Sequence, residues 1–176
     1  MRMMGKRHLF LTGERQVGKS TLLRGLMERE GLRCAGFETQ PFFVEGERKG
    51  FVMHGRVEMP PFENDCVIAV RLGERRAVPV LPAFEENGVA ILRRSLESDA
   101  PFLLMDELGR LEREAKAFRA QVTACLNSGK RVLGVLQQGD VPMAREIAAR
   151  GDVLLLTVTP ENRDRLADVL RAWARG

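Results

Sequence analysis

The feature that most constrains this chain is a glycine-bearing motif near its start, which matches the pattern GxxxxGK[ST] in full over residues 13–20. An apolar run at residues 8–11 precedes the motif, and apolar residues recur at helical spacing after it. A strand that leads through a tight turn into a helix is the setting in which this pattern forms a phosphate-binding loop. The sequence therefore predicts an anion site made largely of main-chain N–H groups.

The fixed positions of the motif each have a physical role. Gly13 and Gly18 permit the backbone angles that turn successive N–H groups toward one point. Lys19 supplies a charge for the β- and γ-phosphates, and Ser20 offers a hydroxyl to Mg²⁺. Thr21 could contact an α-phosphate or be an ordinary helix residue. We predict that a nucleoside triphosphate with Mg²⁺ binds at residues 13–21, which are Gly13, Glu14, Arg15, Gln16, Val17, Gly18, Lys19, Ser20 and Thr21.

Two carboxylates follow directly on a continuous apolar run at residues 102–105. Such a run is typical of a central strand buried on both faces. An acidic residue at the end of a buried strand can order Mg²⁺ through its water, so we assign Asp106 to the metal. A neighbouring carboxylate can position or deprotonate an attacking water, so we assign Glu107 to that water. The alternative is that both are solvated residues at a strand end, with Asp106 as a cap.

Strands and helices alternate along the chain, apart from a β-rich insert near residues 33–72. This order predicts a three-layer α/β fold with a mainly parallel sheet and a β-hairpin insert. The hairpin turn is expected at residues 45–47. Thr159 is expected to cap the last helix, with Pro160 as its first residue. Strands are predicted at 8–11, 33–44, 49–57, 66–72, 102–105, 131–136 and 153–158, and helices at 19–30, 84–96, 112–127, 142–150 and from 159 onward.

Composition restricts the classes of protein to which the chain can belong. Its 176 residues are 44% hydrophobic, which suits one domain over 1–176 with a substantial core. The net charge of +4 is spread along the chain, so an RNA partner is possible but not implied. Three cysteines without paired spacing argue against a disulfide framework or a zinc site and favour a cytoplasmic location. No apolar run approaches the roughly 20 residues that a membrane span needs. The oligomeric state is not predicted.

Further distinctive segments are residues 7–19, Gly36-Phe37-Glu38-Thr39, Gly46, Gly50-Phe51, Asp106-Glu107-Leu108-Gly109 with Leu111-Glu112, and Val158-Thr159-Pro160-Glu161-Asn162-Arg163. Together they resemble the small P-loop nucleoside-triphosphatase family that includes the cancer-related nucleoside-triphosphatases and their thermophile relatives. The resemblance covers most of the chain. Its two most diagnostic parts are an acidic box and a segment close to the last helix, since a phosphate loop alone is common to many families.

The resemblance implies a RecA-like sheet and slow hydrolysis of ATP, GTP and other nucleotides to diphosphate and phosphate. By matched position it implies that Lys19 and Ser20 contact phosphate and Mg²⁺. It also suggests that Asn162 or Thr159 touches the base, although capping of the last helix explains Thr159 equally well. Glu112 would lie near the active site, or would only be a charge at a helix start.

The chain also departs from the family pattern. The loop interior is Glu14-Arg15-Gln16-Val17, where the family has a Pro-Gly pair before the valine. The family's RVG-x-Y segment has no clear counterpart, and only Arg71, Arg75 and Arg76 lie nearby. An arginine that stabilises transition-state charge could be Arg110, Arg48 or Arg163, although each is more simply a surface residue.

Two other functions fit the same residues. One is a nucleotide or small-molecule kinase with an acceptor pocket under the hairpin. The other is a nucleotide-dependent switch associated with RNA, which the basic composition suggests.

Overall fold

In the part of the chain that the structure describes, eight strands form one central sheet. The structure is a computed structural model that describes residues 5–73 and 77–176, so Arg75 and Arg76 lie outside the described residues. The strands are β1 (His8–Thr12), β2 (Cys34–Val44), β3 (Glu47–Gly55), β4 (Asp65–Arg71), β5 (Ala77–Pro79), β6 (Phe102–Leu108), β7 (Arg131–Leu136) and β8 (Val153–Thr157).

The sheet is mainly parallel, as predicted. Its order is β5-β4-β3-β2-β6-β7-β1-β8. Neighbouring strands from β8 through β1, β7 and β6 to β2 run parallel, whereas β3, β4 and β5 continue the sheet in antiparallel fashion. Because the carboxyl ends of parallel strands meet at one edge, the segments that follow β1, β6 and β8 lie at that edge. These segments are the glycine loop, the acidic box and residues 158–163.

Helices cover the sheet on both faces and complete the three layers. They are α1 (Lys19–Glu30), α2 (Pro61–Asn64), α3 (Val89–Glu97), α4 (Lys116–Asn127), α5 (Pro142–Ala148) and α6 (Arg163–Arg175), and a π-helical turn, Ala83–Gly88, leads into α3. Among the described residues, no helix is both long enough and apolar enough to cross a membrane.

Side chains along the central strands point alternately to the two faces of the sheet, and this produces two separate hydrophobic cores. In β6, Leu104 packs in the cluster that contains residues of α1 and α6, while Leu103 packs in the cluster that contains residues of α3, α4 and α5. Successive side chains of a strand point to opposite faces, so a strand covered on both sides reads as a continuous apolar run. The phosphate-loop helix α1 therefore shares its face of the sheet with α6.

The predicted hairpin is present, and its first strand has a second role. Glu45 and Gly46 both have positive φ angles, 51° and 80°, as a two-residue turn between twisted strands requires. The first strand of the hairpin, β2, also pairs in parallel with β6, and Glu38 lies opposite Asp106 in that pairing. The β-rich segment is thus joined directly to the strand that carries the acidic box.

Two helices begin later than the sequence predicts. The helix expected from residue 112 begins at Lys116, and the one expected from Thr159 begins at Arg163. The first shift has a tertiary cause, because the Glu85 carboxylate accepts hydrogen bonds from the N–H groups of Ala117 (2.7 Å) and Phe118 (3.2 Å). These N–H groups belong to the first turn of α4, and a carboxylate there satisfies donors that the helix itself cannot.

The late start of α6 has a local cause. Thr159 precedes a turn at residues 160–162, and Asn162 is the residue that immediately precedes the helix. The Asn162 side chain accepts a hydrogen bond from the N–H of Thr159 (2.9 Å) and donates one to the carbonyl oxygen of Thr157 (2.9 Å). The expected cap at Thr159 is therefore wrong, since the chain makes a further turn before the helix begins.

Candidate active site

The glycine loop between β1 and α1 has the backbone shape of an anion site. Gly13 and Gly18 have φ angles of 134° and 94°, and Gln16 is left-handed as well, with a φ of 62°. A left-handed conformation is costly for a residue with a Cβ atom, but it turns the local N–H groups inward. A Cβ atom built on Gly13 would lie 2.4 Å from the carbonyl oxygen of Val158. Gly13 is thus required both for its angle and for the close approach of the segment after β8.

Lys19 is folded onto the loop that it follows. Its ammonium donates hydrogen bonds to the carbonyl oxygens of Gly13 (2.9 Å) and Glu14 (2.5 Å), and only 9% of the residue is exposed. Burial lowers the pKa of Lys19, while the negative charges of Glu107 and Asp106 act in the opposite direction. The charge of Lys19 is therefore placed close to the two carboxylates and to the main-chain donors of the loop.

Ser20 and Asp106 come together from different elements. The Ser20 side chain, in the first turn of α1, lies beside the carboxylate of Asp106 near the end of β6 and acts to lower the pKa of that carboxylate. Burial raises the pKa of Asp106 to about 6, and the charges of Glu107 and Glu38 add to this rise, whereas Ser20 opposes it. The two residues assigned to Mg²⁺ from the sequence are therefore neighbours in the structure.

Glu107 lies beside this pair and is accessible to solvent. The surrounding protein removes enough water to raise the pKa of Glu107, while the charges of Lys19 and Arg15 hold it down. The peptide bond between Asp106 and Glu107 is cis. A carboxylate that is open to solvent and close to the loop lysine can hydrogen-bond a water molecule at the site.

Glu38 and Arg24 also belong to this site, and neither was assigned a role from the sequence. Arg24, on α1, lies 3.8 Å from the Glu38 carboxylate, and Arg56 is hydrogen-bonded to the same carboxylate. Glu38 and Arg24 shift the pKa of Asp106 in opposite directions. The sequence could have placed Arg24 near the site, because Arg24 follows Ser20 by four residues and so lies on the same helix face. Glu38 could be placed only through the β2–β6 register.

Glu112 is buried behind the acidic box. It is 2% exposed, and its carboxylate accepts a hydrogen bond from the N–H of Gly109. The amide oxygen of Gln137 accepts from the N–H of Arg110 (2.9 Å), while the N–H of Gln137 donates to the carbonyl oxygen of Leu108 (2.8 Å). Residues 108–112 are therefore fixed from two sides, immediately after Glu107.

A pH-dependent stability follows from this burial. Burial raises the pKa of Glu112 to about 7, well above its ordinary value of 4.5, despite the opposing hydrogen bond from Gly109. Between these two values the unfolded chain has lost the proton that the folded chain keeps, so stability falls as pH rises from about 4.5 to 7. Glu112→Gln cannot ionise, so its stability relative to the unmodified protein should rise by about 2–3 kcal/mol between pH 5 and pH 8.

Urea unfolding of both proteins at the two pH values measures this difference. The exposed Glu114, which pairs with Arg113, provides the control Glu114→Gln, which makes the same change of side chain at the protein surface. Equal pH dependence of Glu112→Gln and the unmodified protein would contradict a raised pKa at Glu112.

The remaining predicted site residues occupy different parts of the loop and its surroundings. The side chain of Val17 packs against the core beside α1, which leaves its main chain for phosphate. Glu14, Arg15, Gln16 and Thr21 are exposed. The oxygen and the nitrogen of the Asn162 side-chain amide are each hydrogen-bonded within the turn before α6. A contact between Asn162 and a base therefore stays a prediction.

The three candidate arginines lie in different places. Arg163 contacts the loop, since a Cβ atom built on Gly18 would lie 3.2 Å from its Cδ atom. Arg110 is exposed next to the acidic box. Arg48 lies over the ring of Phe51 in the hairpin, with 5.9 Å between the guanidinium carbon and the ring centre. Arg163 is the candidate that the structure brings against the loop.

Known proteins resemble this chain along most of its length. A family model described as NTPase matches residues 8–170. The human cancer-related nucleoside-triphosphatase is 30% identical over an alignment that covers 91% of this chain and 92% of the relative. The nucleoside-triphosphatase THEP1 of Aquifex aeolicus is 30% identical over 95% of this chain and 99% of the relative.

Two solved structures are similar along nearly the whole chain. The crystal structure of THEP1 from Aquifex aeolicus matches with a TM-score of 0.71 and 27% identity, over 93% of this chain and 96% of that one. The solution structure of a human cancer-related nucleoside triphosphatase matches with a TM-score of 0.74 and 27% identity, over 96% and 97%. The chain therefore belongs to the NTPase family of small P-loop nucleoside-triphosphatases and is an enzyme of that class.

Proposed function

We propose that this enzyme hydrolyses the β–γ bond of nucleoside triphosphates, including ATP and GTP, in a Mg²⁺-dependent reaction that yields diphosphate and phosphate. The observation that carries the proposal is the meeting of three groups at one edge of the sheet. These are the buried ammonium of Lys19, the neighbouring side chains of Ser20 and Asp106, and the open carboxylate of Glu107.

Each group has one task in this reaction. The loop N–H groups and Lys19 bind the β- and γ-phosphates and stabilise the charge that develops as the bond breaks. Glu107 orients a water molecule toward the γ-phosphorus and accepts its proton. A bond forms between the water oxygen and the γ-phosphorus, and the bond from that phosphorus to the bridging oxygen breaks. The diphosphate leaves with the bond electrons.

The donor set at Ser20 and Asp106 fits Mg²⁺. A hydroxyl and a carboxylate are hard oxygen donors, and Glu107 and Glu38 make their surroundings acidic. In the described ranges, no group of three or more His, Cys, Asp or Glu side chains could hold a metal by itself. Mg²⁺ usually binds through one or two protein oxygens, with water and substrate phosphates completing its shell. When bound, the ion would neutralise charge on the phosphates, with Ser20 and Asp106 holding it.

Phosphate release from ATP and GTP, measured with Mg²⁺ and with EDTA, tests this proposal. We expect release only with Mg²⁺. Asp106→Asn should raise the Mg²⁺ concentration that gives the half-maximal rate by about 10- to 100-fold, because the metal loses a charged partner. Asp140→Asn removes an exposed aspartate paired with Arg145 and is the matched control. An unchanged rate in EDTA would contradict the Mg²⁺ requirement.

A further inference from the structure

A groove runs between α1 and α6, starting at the phosphate loop. Its volume is about 560 Å³, which lies within the range of about 300–1,000 Å³ that is typical of small-molecule sites. One wall includes Gly18 of the loop with Thr21 and Gly25 of α1, and the α6 wall includes Arg163, Asp164 and Asp168. No role has been assigned to this groove so far, and the inference drawn from it rests on the proposed function.

The groove and the phosphate loop are continuous. Gly18 and Thr21 line the groove and also belong to the predicted phosphate site. The loop motif places Lys19 at the β- and γ-phosphates, so the α-phosphate end of the substrate lies toward the following helix turn at Thr21. The sugar and base extend from that end. A nucleotide held by its phosphates therefore directs its nucleoside part toward the mouth of the groove.

The mouth of the groove presents a flat cationic side chain. Arg163 is exposed and packs against Gly18, where a built Cβ atom would lie 3.2 Å from Arg163 Cδ and 3.6 Å from its Nη1 atom. The Arg163 Nε atom lies 3.8 Å from the Asp164 carboxylate. A planar guanidinium stacks well on an aromatic ring, and this contact tolerates any base because every base has a π-face.

The α1 wall of the groove has room for a ligand beside it. A Cβ atom built on Gly25 would meet no atom within 4 Å outside its own helix backbone and immediate neighbours. Gly25 lies one helix turn beyond Thr21, on the same side of α1. A side chain at this position would therefore occupy space within the groove.

We propose that this groove is the nucleoside subsite of the enzyme, with Arg163 stacked on the base. Asn162 then has an indirect role, because its amide holds the turn that places Arg163 beside Gly18. Since the stacking contact does not read the edge of the base, the subsite accepts purine and pyrimidine nucleotides alike.

The test compares two ligands that share the phosphates but differ in the nucleoside. Calorimetry with Mg²⁺ measures the Kd of AMPPNP and of inorganic tripolyphosphate for the unmodified protein, Arg163→Ala, Gly25→Leu and the control Arg175→Ala. Arg175 lies near the end of α6 and pairs with Glu30. Arg163→Ala should weaken AMPPNP binding about tenfold or more. Gly25→Leu should weaken it similarly, and tripolyphosphate binding should change by less than about twofold in both.

Three outcomes would overturn the subsite. One is an equal loss for both ligands, which would mean that the variants act on the phosphate loop. The second is unchanged affinity of Arg163→Ala for both ligands. This result stands whether or not Gly25→Leu folds. The third is unmodified protein that binds AMPPNP no more tightly than tripolyphosphate. Failure of the proposed function is distinct, because it would leave the AMPPNP pattern intact while no phosphate is released from ATP.

Discussion

Replacing Glu107 by Gln is expected to lower the rate of phosphate release by about 10²–10⁴-fold, the range contributed by a positioned general base. Glutamine keeps the size of the side chain and can still hydrogen-bond water, but it cannot accept the proton. Glu107 is exposed at the edge where Lys19 lies, so nothing buried is left without a partner by the change. The measurement is the steady-state rate at saturating nucleotide and Mg²⁺.

Binding must be measured on the same variant. The Kd of AMPPNP should change by less than about threefold in Glu107→Gln, since the loop contacts to phosphate remain. Glu114→Gln replaces an exposed glutamate seven residues further along and should keep the full rate. If Glu107→Gln turned over at the unmodified rate, another group would have to activate the water.

Replacing Lys19 by Ala is expected to reduce both binding and turnover. Removal of one donor that stabilises transition-state charge costs about 10²–10³-fold in rate. The lysine is buried between its loop carbonyls and close to two carboxylates, so its charge also offsets the repulsion between these carboxylates and the phosphates. The loss should therefore appear in the Kd of AMPPNP as well as in kcat.

The pattern across ligands makes this prediction specific. Lys19→Ala should weaken AMPPNP and tripolyphosphate to a similar degree, unlike the changes at Arg163, because the proposed contact of Lys19 with either ligand is to the phosphates alone. Lys116→Ala removes an exposed lysine at the start of α4 and should leave both Kd values unchanged. Tight binding of both ligands by Lys19→Ala would place the phosphates elsewhere.

The phosphate loop and the acidic box could be predicted from sequence because both depend on contiguous residues. The chemistry of Lys19 and Ser20 is specified by a motif of eight positions, and its strand-loop-helix setting is visible in the flanking pattern. The parallel sheet was predictable for a related reason, since buried strands appear as continuous apolar runs between amphipathic helices.

Features that depend on distant residues could not be predicted in this way. The late start of α4 requires Glu85, which lies more than 30 positions earlier in the chain. The place of Glu38 beside Asp106 depends on the β2–β6 register. The turn made by Asn162 depends on side-chain hydrogen bonds that compete with a helix start at Thr159. Each of these is set by a contact rather than by a local pattern.

Hydrolysis of ATP in water enriched in ¹⁸O tests the central claim most directly. If Glu107 directs water to the γ-phosphorus of a nucleotide held by the loop at Lys19, the heavy oxygen enters inorganic phosphate. Phosphate and ADP then form in equal amounts, and the ADP carries no label. Mass spectrometry of the products measures this distribution. Label in ADP or pyrophosphate, or no conversion of ATP with Mg²⁺ present, would contradict the account.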